Sequence, residues 1–114
     1  MNGKFQIFNG SNKQYYFRLK ASNGETIGHS EGYIAKQSAE NGIASVRANS
    51  QSDSRYTIFQ GSDKQYYFNL KAANGEIILS SEGYVTKQGA ENGKEAVKKY
   101  APTADVEDLT SAAT

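Results

Sequence analysis

Cysteine is absent from this 114-residue chain, which excludes disulfides, thiolate metal sites and cysteine nucleophiles together. The only histidine is His29, and no His/Asp/Glu cluster has metal-ligand spacing. G-x-S-x-G occurs once, from Gly28 to Gly32, but inside a strand candidate rather than at a strand-to-helix elbow, and H-E-x-x-H is absent. The 11 glycines make no G-x-x-x-x-G-K-[ST] and no G-x-G-x-x-G between strand and helix. Zinc-dependent and phosphate-loop chemistries therefore have no foothold, and no cofactor is expected. No apolar run approaches the ~20 residues that span a bilayer. Met1–Phe5 lacks the apolar stretch of a secretion signal, so a cytoplasmic location is the expectation. Charge of one sign is not in excess: 13 basic residues face 12 acidic ones, for a net charge of +1. Duplex DNA, which needs a concentrated basic face, is a poor fit as partner.

What the chain does have is a second copy of itself. Residues 5–50 and 56–101 align without a gap at a constant offset of 51. QYYFRLKASNGE (Gln14 to Glu25) returns as QYYFNLKAANGE (Gln65 to Glu76), and SEGYIAKQ (Ser30 to Gln37) as SEGYVTKQ (Ser81 to Gln88). Such a duplication implies pseudo-two-fold symmetry within one polypeptide. A copy of about 50 residues sits near the lower limit for independent folding. Asn49–Ser54 between the copies is too short for a free linker, so the two are expected to share one core within a single domain spanning residues 1–114. Apolar content is low at 37%, but 8 Tyr and 5 Phe supply large buried area per residue.

Each copy opens with a strand candidate, Lys4–Asn9 and Arg55–Gln60, followed by a turn composition. The next stretch alternates with period two. Tyr15, Phe17, Leu19 and Ala21 point to one face; Gln14, Tyr16, Arg18 and Lys20 point to the other. Tyr66, Phe68, Leu70 and Ala72 repeat this against Gln65, Tyr67, Asn69 and Lys71. Asn23-Gly24 and Asn74-Gly75 predict type I′ hairpins, where both central residues take positive φ. Third strands follow over Glu25–Ser30 and Glu76–Ser81. The period then lengthens: Ala39, Ile43 and Val46, and Ala90 and Val97, fall at helical spacing. Lys94 stands where the first copy has Ile43, which predicts a more weakly anchored second helix. Thr86 is a good N-cap and its counterpart Ala35 a poor one. Gly42 and Gly93, mid-helix in both copies, predict close approach of helix to sheet. Pro102 ends the second helix. Val106–Leu109 falls behind that helix as Arg55–Ile58 falls behind the first, and predicts a final strand ahead of a loose tail at 110–114.

The fold class is therefore α+β. Two tandem β-β-β-α-(β) repeats, about 4–53 and 55–109, form a single antiparallel sheet with both helices on one face. The paired LKA-x-NGE, SEGY and K-x-x-A-x-x-G patterns carry a resemblance. Leu19-Lys20-Ala21, Asn23-Gly24-Glu25, Glu31-Gly32-Tyr33, Ala39 and Gly42 each recur 51 residues later. In these residues the chain resembles the YegP-like family of uncharacterised bacterial proteins, over nearly its whole length. The resemblance implies units that exchange their C-terminal strands, and hence a covalent pseudo-dimer that is a monomer in solution. It implies no activity, cofactor or catalytic residue.

Function is expected to be non-catalytic: a binding or accessory module whose surface is the sheet face away from the helices. Tyr16, Arg18, Lys20, Tyr67 and Lys71 are the candidate binding residues. Aromatics interleaved with basic residues on an open sheet suit single-stranded nucleic acid, the alternative to a protein partner. Arg18 becomes Asn69 in the second copy, which weakens that signal. A third reading, a small hydrolase or isomerase using Glu31 or Glu82, requires the symmetry to bring like carboxylates together. Asp105–Leu109 is a natural element for strand addition to an edge. Lys36, Arg47, Lys87, Lys98 and Lys99 form a candidate basic rim that a solvated helix face equally explains. The shared-core reading has a direct check. Residues 1–53 alone are expected to be unstable or dimeric in size-exclusion and thermal-melting measurements, and a stable monomeric half would contradict it.

Overall fold

The chain's structure, a computed structural model, describes residues 3–110. Its elements are β1 (Lys4–Asn9), β2 (Tyr15–Lys20), β3 (Thr26–His29), α1 (Lys36–Asn49), β4 (Tyr56–Gln60), β5 (Tyr66–Lys71), β6 (Ile77–Ser81), α2 (Lys87–Tyr100) and β7 (Asp105–Asp108). A 3-10 turn over Asp53–Arg55 leads into β4. All seven strands form one sheet in the order β4-β5-β6-β3-β2-β1-β7. β1–β3 of the first copy and β4–β6 of the second each form a contiguous block, and the blocks meet where β3 pairs with β6 through Gly28↔Ser81 and His29↔Ser80. Thr110 is fixed to Asp108 through its amide, at 2.9 Å, and its hydroxyl, at 2.7 Å. The rest of the expected tail, 111–114, lies outside the described residues.

Alternation delivers one continuous core. Phe5, Ile7, Phe17 and Leu19 from the first copy and Phe68, Leu70 and Leu79 from the second lie in one buried cluster with Ile43, Val46 and Val97 of the helices. Each such side chain contributes about 1.5–3 kcal/mol by leaving water. Edge-to-face pairs Phe5–Phe17 and Tyr56–Phe68, both with centroids 6.0 Å apart, repeat the same packing in the two copies. Close helix approach is the reason for the mid-helix glycines. A Cβ on Gly42 would lie 2.8 Å from Phe17 Cε2, and one on Gly93 2.9 Å from Phe68 Cε2. Thr86 Oγ1 accepts from Gly89 N at 3.0 Å and caps α2, whereas Ala35 leaves α1 without a side-chain cap. Lys94 is held more firmly than expected. Its stem is largely covered, and its ammonium lies 3.6 Å from Asp53 Oδ1 and 5.9 Å from the Tyr56 ring centroid.

Two features differ from expectation. The sheet is mixed, because β7 runs parallel to β1 in the register Lys4↔Asp105 to Ile7↔Asp108. β4 and β7 are the same post-helix segment of the two copies, and the symmetry that relates β4 to β1 gives β7 the direction of β1. Strand exchange thus runs one way: β7 of the second copy covers β1 of the first, while β4 ends the sheet with its outer edge uncovered. The hairpins also depart from type I′. Positive φ occurs at Gly24 (88°) and Gly75 (89°) but not at the asparagines before them. Gly24 N donates to Ala21 O, and Asn23 Oδ1 accepts from Glu25 N at 3.0 Å, so Asn23 acts through its side chain. This is a type I turn closed by a left-handed glycine, and the register shifts after Leu19 and Leu70 accompany it.

At the seam the copies have had to differ. The residue 51 beyond Gly28 is Leu79, and a Cβ on Gly28 would meet Ser80 O at 2.9 Å and Leu79 Cγ at 3.0 Å. Symmetry-related side chains cannot both occupy that space. Gly28→Ala is expected to cost about 1–3 kcal/mol in chemical denaturation, the scale of an overpacked core. Gly75→Ala, with open space around its Cβ, should cost only the left-handed penalty of about 1–2 kcal/mol. Gly75→Asn should recover part of that loss, and Gly28→Asn should recover none.

Candidate binding surface

The face opposite the helices is built by the other half of the alternation. Across its middle, β-pairing places Glu107, Gln6, Arg18, His29, Ser80, Asn69 and Thr57 in one transverse row over all seven strands. Half of this row is wired together. Arg18 Nε donates to Gln6 Oε1 at 2.8 Å, and Gln6 Nε2 donates to Glu107 Oε1 at 2.7 Å. Lys4 Nζ lies 3.5 Å from the same carboxylate, whose pKa is lowered first by the Gln6 hydrogen bond and then by Lys4. His29 Nδ1 sits 3.4 Å from Glu82 Oε2 across the seam. In the second copy Asn69 and Thr57 stand in place of Arg18 and Gln6, so the wiring is not repeated.

All five candidate residues lie on this face, but they do not converge. β2 and β5 run in opposite directions about the seam, so Tyr16 and Lys71 lie toward one end and Lys20 and Tyr67 toward the other. Arg18 is between them. Four residues of strand separate Tyr16 from Lys20, roughly 13 Å. The tyrosines are also committed to packing. Tyr16 stacks on Phe8 with centroids 5.7 Å apart and accepts from Asn12 Nδ2 at 3.0 Å. Arg18 lies over the same Phe8 ring at 4.4 Å. Tyr67 stacks on Phe59 at 5.8 Å and donates to Asp63 Oδ2. That bond holds the Asp63 carboxyl below its usual range and pushes the Tyr67 phenol up.

The symmetry also keeps Glu31 and Glu82 apart. Each follows the central row by two residues on antiparallel β3 and β6, which sends them to opposite ends of the sheet. Each end therefore carries a tyrosine, a lysine and a glutamate. Among the described residues no group of three or more His, Asp or Glu is placed to hold a metal ion. No helix of the described chain is long and apolar enough to cross a membrane.

Between the copies runs a groove of about 460 Å³ lined by Glu31, Tyr33, Gly75, Glu76, Ile77 and Ile78. Tyr33 stacks beside Phe17 and bridges Tyr15, and its phenol is pushed up by burial first, then by Glu31 and Glu76. Tyr84 repeats this with burial, Glu82 and Glu25. Both phenols stay protonated donors next to one carboxylate from each copy. Sequence reasoning missed this pairing because Glu76 reaches the groove from the other repeat's hairpin. It missed Gln6 and Glu107 for a similar reason, since they meet across 101 residues. A repeated Glu-Gly-Tyr was the one available signal.

Comparison with known proteins matches a domain of unknown function, DUF1508, twice, over residues 11–56 and 62–108. The chain belongs to this family. It is 49% identical to the UPF0339 protein YegP of Escherichia coli K12 over 110 residues, covering 96% of this chain and 100% of the relative. YegP of Yersinia pestis is 45% identical over 108 residues, covering 95% and 96%. The solution NMR structure of Escherichia coli YegP superposes with a TM-score of 0.93 at 48% identity, over 98% of this chain and 97% of that one. The Shewanella oneidensis UPF0339 structure gives 0.91 at 41% identity, over 99% and 96%. The family carries no assigned activity, and its second match ends on β7, the strand that completes the open-face row.

That strand has an acid-labile anchor. Asp108 is paired with Lys36 and bonded to Thr110, and its pKa is lowered from 3.8 to about 2, first by the Lys36 hydrogen bond and then by Thr110. A carboxyl depressed in the fold adds stability that is present above its unfolded value and lost as pH falls through its folded one. Amide exchange of β7 should therefore accelerate as pH drops from about 4 to about 2. Asp108→Asn should diminish that acid step, leaving the part carried by Glu107, and an unchanged step in the variant would refute the assignment.

Proposed function

We propose that this chain is a cytoplasmic, monomeric, non-catalytic binding module that recognises a polypeptide on the open face of its sheet. The observation that carries this reading is a seven-stranded face with both helices packed against its other side and a transverse polar row across its middle. Charges on this face alternate in sign: Lys4, Arg18, Lys20 and Lys71 are interspersed with Glu31, Glu82 and Glu107. A polypeptide carrying both signs fits such a surface, whereas a phosphate backbone meets carboxylates at both ends of it. The non-catalytic part is supported by the separation of Glu31 from Glu82 and by the exposure of the single histidine. The monomer is supported by a duplication that supplies each repeat with its own partner.

Two measurements test the reading. A photo-crosslinking amino acid at Ser80, in the centre of the face, is expected to capture protein adducts in cells, and one at Gln88 on α2 is not. Adducts from Gln88 alone would move the binding surface to the helices. An oligo-dT titration is expected to give no saturable binding at about 150 mM salt. Saturable binding that weakens in a Lys20→Ala/Lys71→Ala double variant would instead establish the single-stranded nucleic-acid reading.

A further inference from the structure

The two outer edges of the sheet are equivalent by symmetry but unequally covered. At the β1 edge, β7 lies in register with Lys4–Ile7, and Leu109 N donates to Ile7 O at 2.7 Å. Its acidic side chains are met individually: Glu107 by Lys4 and Gln6, and Asp108 by Lys36 at the start of α1. Val106 shares a groove of about 400 Å³ with Ile43, Ala44 and Arg47.

The β4 edge repeats the receiving half of this arrangement. β4 pairs with β5 in the register by which β1 pairs with β2, Tyr56↔Leu70 matching Phe5↔Leu19. Ile58 O is therefore the counterpart of Ile7 O, facing outward with no strand beyond it. Arg55 corresponds to Lys4, and Lys87 to Lys36. Among the described residues neither Arg55 nor Lys87 has an ion pair, although both their counterparts do. Asp53, on Lys98 at 2.8 Å, takes the place of Ala104, whose carbonyl accepts from Arg47. The chain then steps directly into β4 instead of running beside it, which leaves the ladder open from Thr57 onward. Phe59 is 40% exposed there, without the arginine that covers Phe8.

We propose that the β4 edge is a docking site for an acidic extended segment of a partner protein, added as a parallel eighth strand in the manner of β7. The occupant is Glu-Asp-aliphatic in character. Its first carboxylate meets Arg55 on the open face, its second meets Lys87 at the start of α2, and the following amide donates to Ile58 O. Main-chain bonds supply the attachment, and the two carboxylates set register and direction. This site is separate from the centre of the open face, so it stands or falls independently of the binding surface proposed above.

The chain carries its own probe. A capped peptide with the sequence of residues 104–110, Ala-Asp-Val-Glu-Asp-Leu-Thr, is titrated into the labelled full-length protein. Saturable amide shifts are expected at Thr57–Gln60, and they should weaken by about tenfold or more in an Arg55→Glu/Lys87→Glu double variant, where two attractions become repulsions. The same loss is expected for a peptide with Gln and Asn at the two central acids. Both substituted side chains lie outside the core, so the melting temperature serves as the control for folding. Shifts confined to β1, no saturation at millimolar peptide, or binding indifferent to both charge changes would each overturn the proposal. So would concentration-dependent dimerisation through β4, which would assign the edge to a second copy of the chain.

Discussion

Everything in this fold hangs on the seam between β3 and β6. Only Gly28↔Ser81 and His29↔Ser80 pair across it, yet through it two blocks of strands become one sheet over one core. α1 packs on β1 and β2 and reaches over the seam to β5 and β6, and α2 reaches back to β3. Both copies feed one buried cluster, so the join is where their apolar surfaces become a single core. Gly28 lets the backbones approach, and Leu79 fills the space left beside it.

Differences between the copies follow from the one-way exchange of strands. Gln6 has Glu107 to bond, whereas its counterpart Thr57 has no strand on its outer side. Ile43 shares a groove with Val106, while its counterpart Lys94 turns to Asp53. Arg18 completes a chain of hydrogen bonds that Asn69 has nothing to extend. A repeat whose edge is covered has gained residues that hold the cover. The other has kept charge at its exposed edge, a common protection against unwanted strand pairing.

Much of this was legible in the sequence because alternation and helical spacing are local. Phe17 and Leu19 against Tyr16 and Arg18 fixed which face is buried, and Thr86 and Gly42 stated their own reasons. What escaped was non-local or geometric. Asn-Gly pointed to a type I′ hairpin, but the Asn23 side chain captured an amide and left only Gly24 left-handed. Lys13 and Lys64, both with φ of 68°, hold a left-handed turn that their identity does not advertise. Direction was harder still: a segment behind a helix reads as a strand, but its sense depends on the neighbour that symmetry assigns. The candidate residues were placed on the correct face and scattered by that same symmetry, which no single-strand pattern encodes.

β7 has a consequence for how the molecule comes into being. Its contact with β1 links residues 101 positions apart, so it closes a long loop and cannot form until every other strand of the sheet has been made. Long-range pairing of this kind is slow relative to the local hairpins. During that interval the nascent sheet exposes two bare edges instead of one, and β7 acts as a latch that halves its opportunity for misassociation.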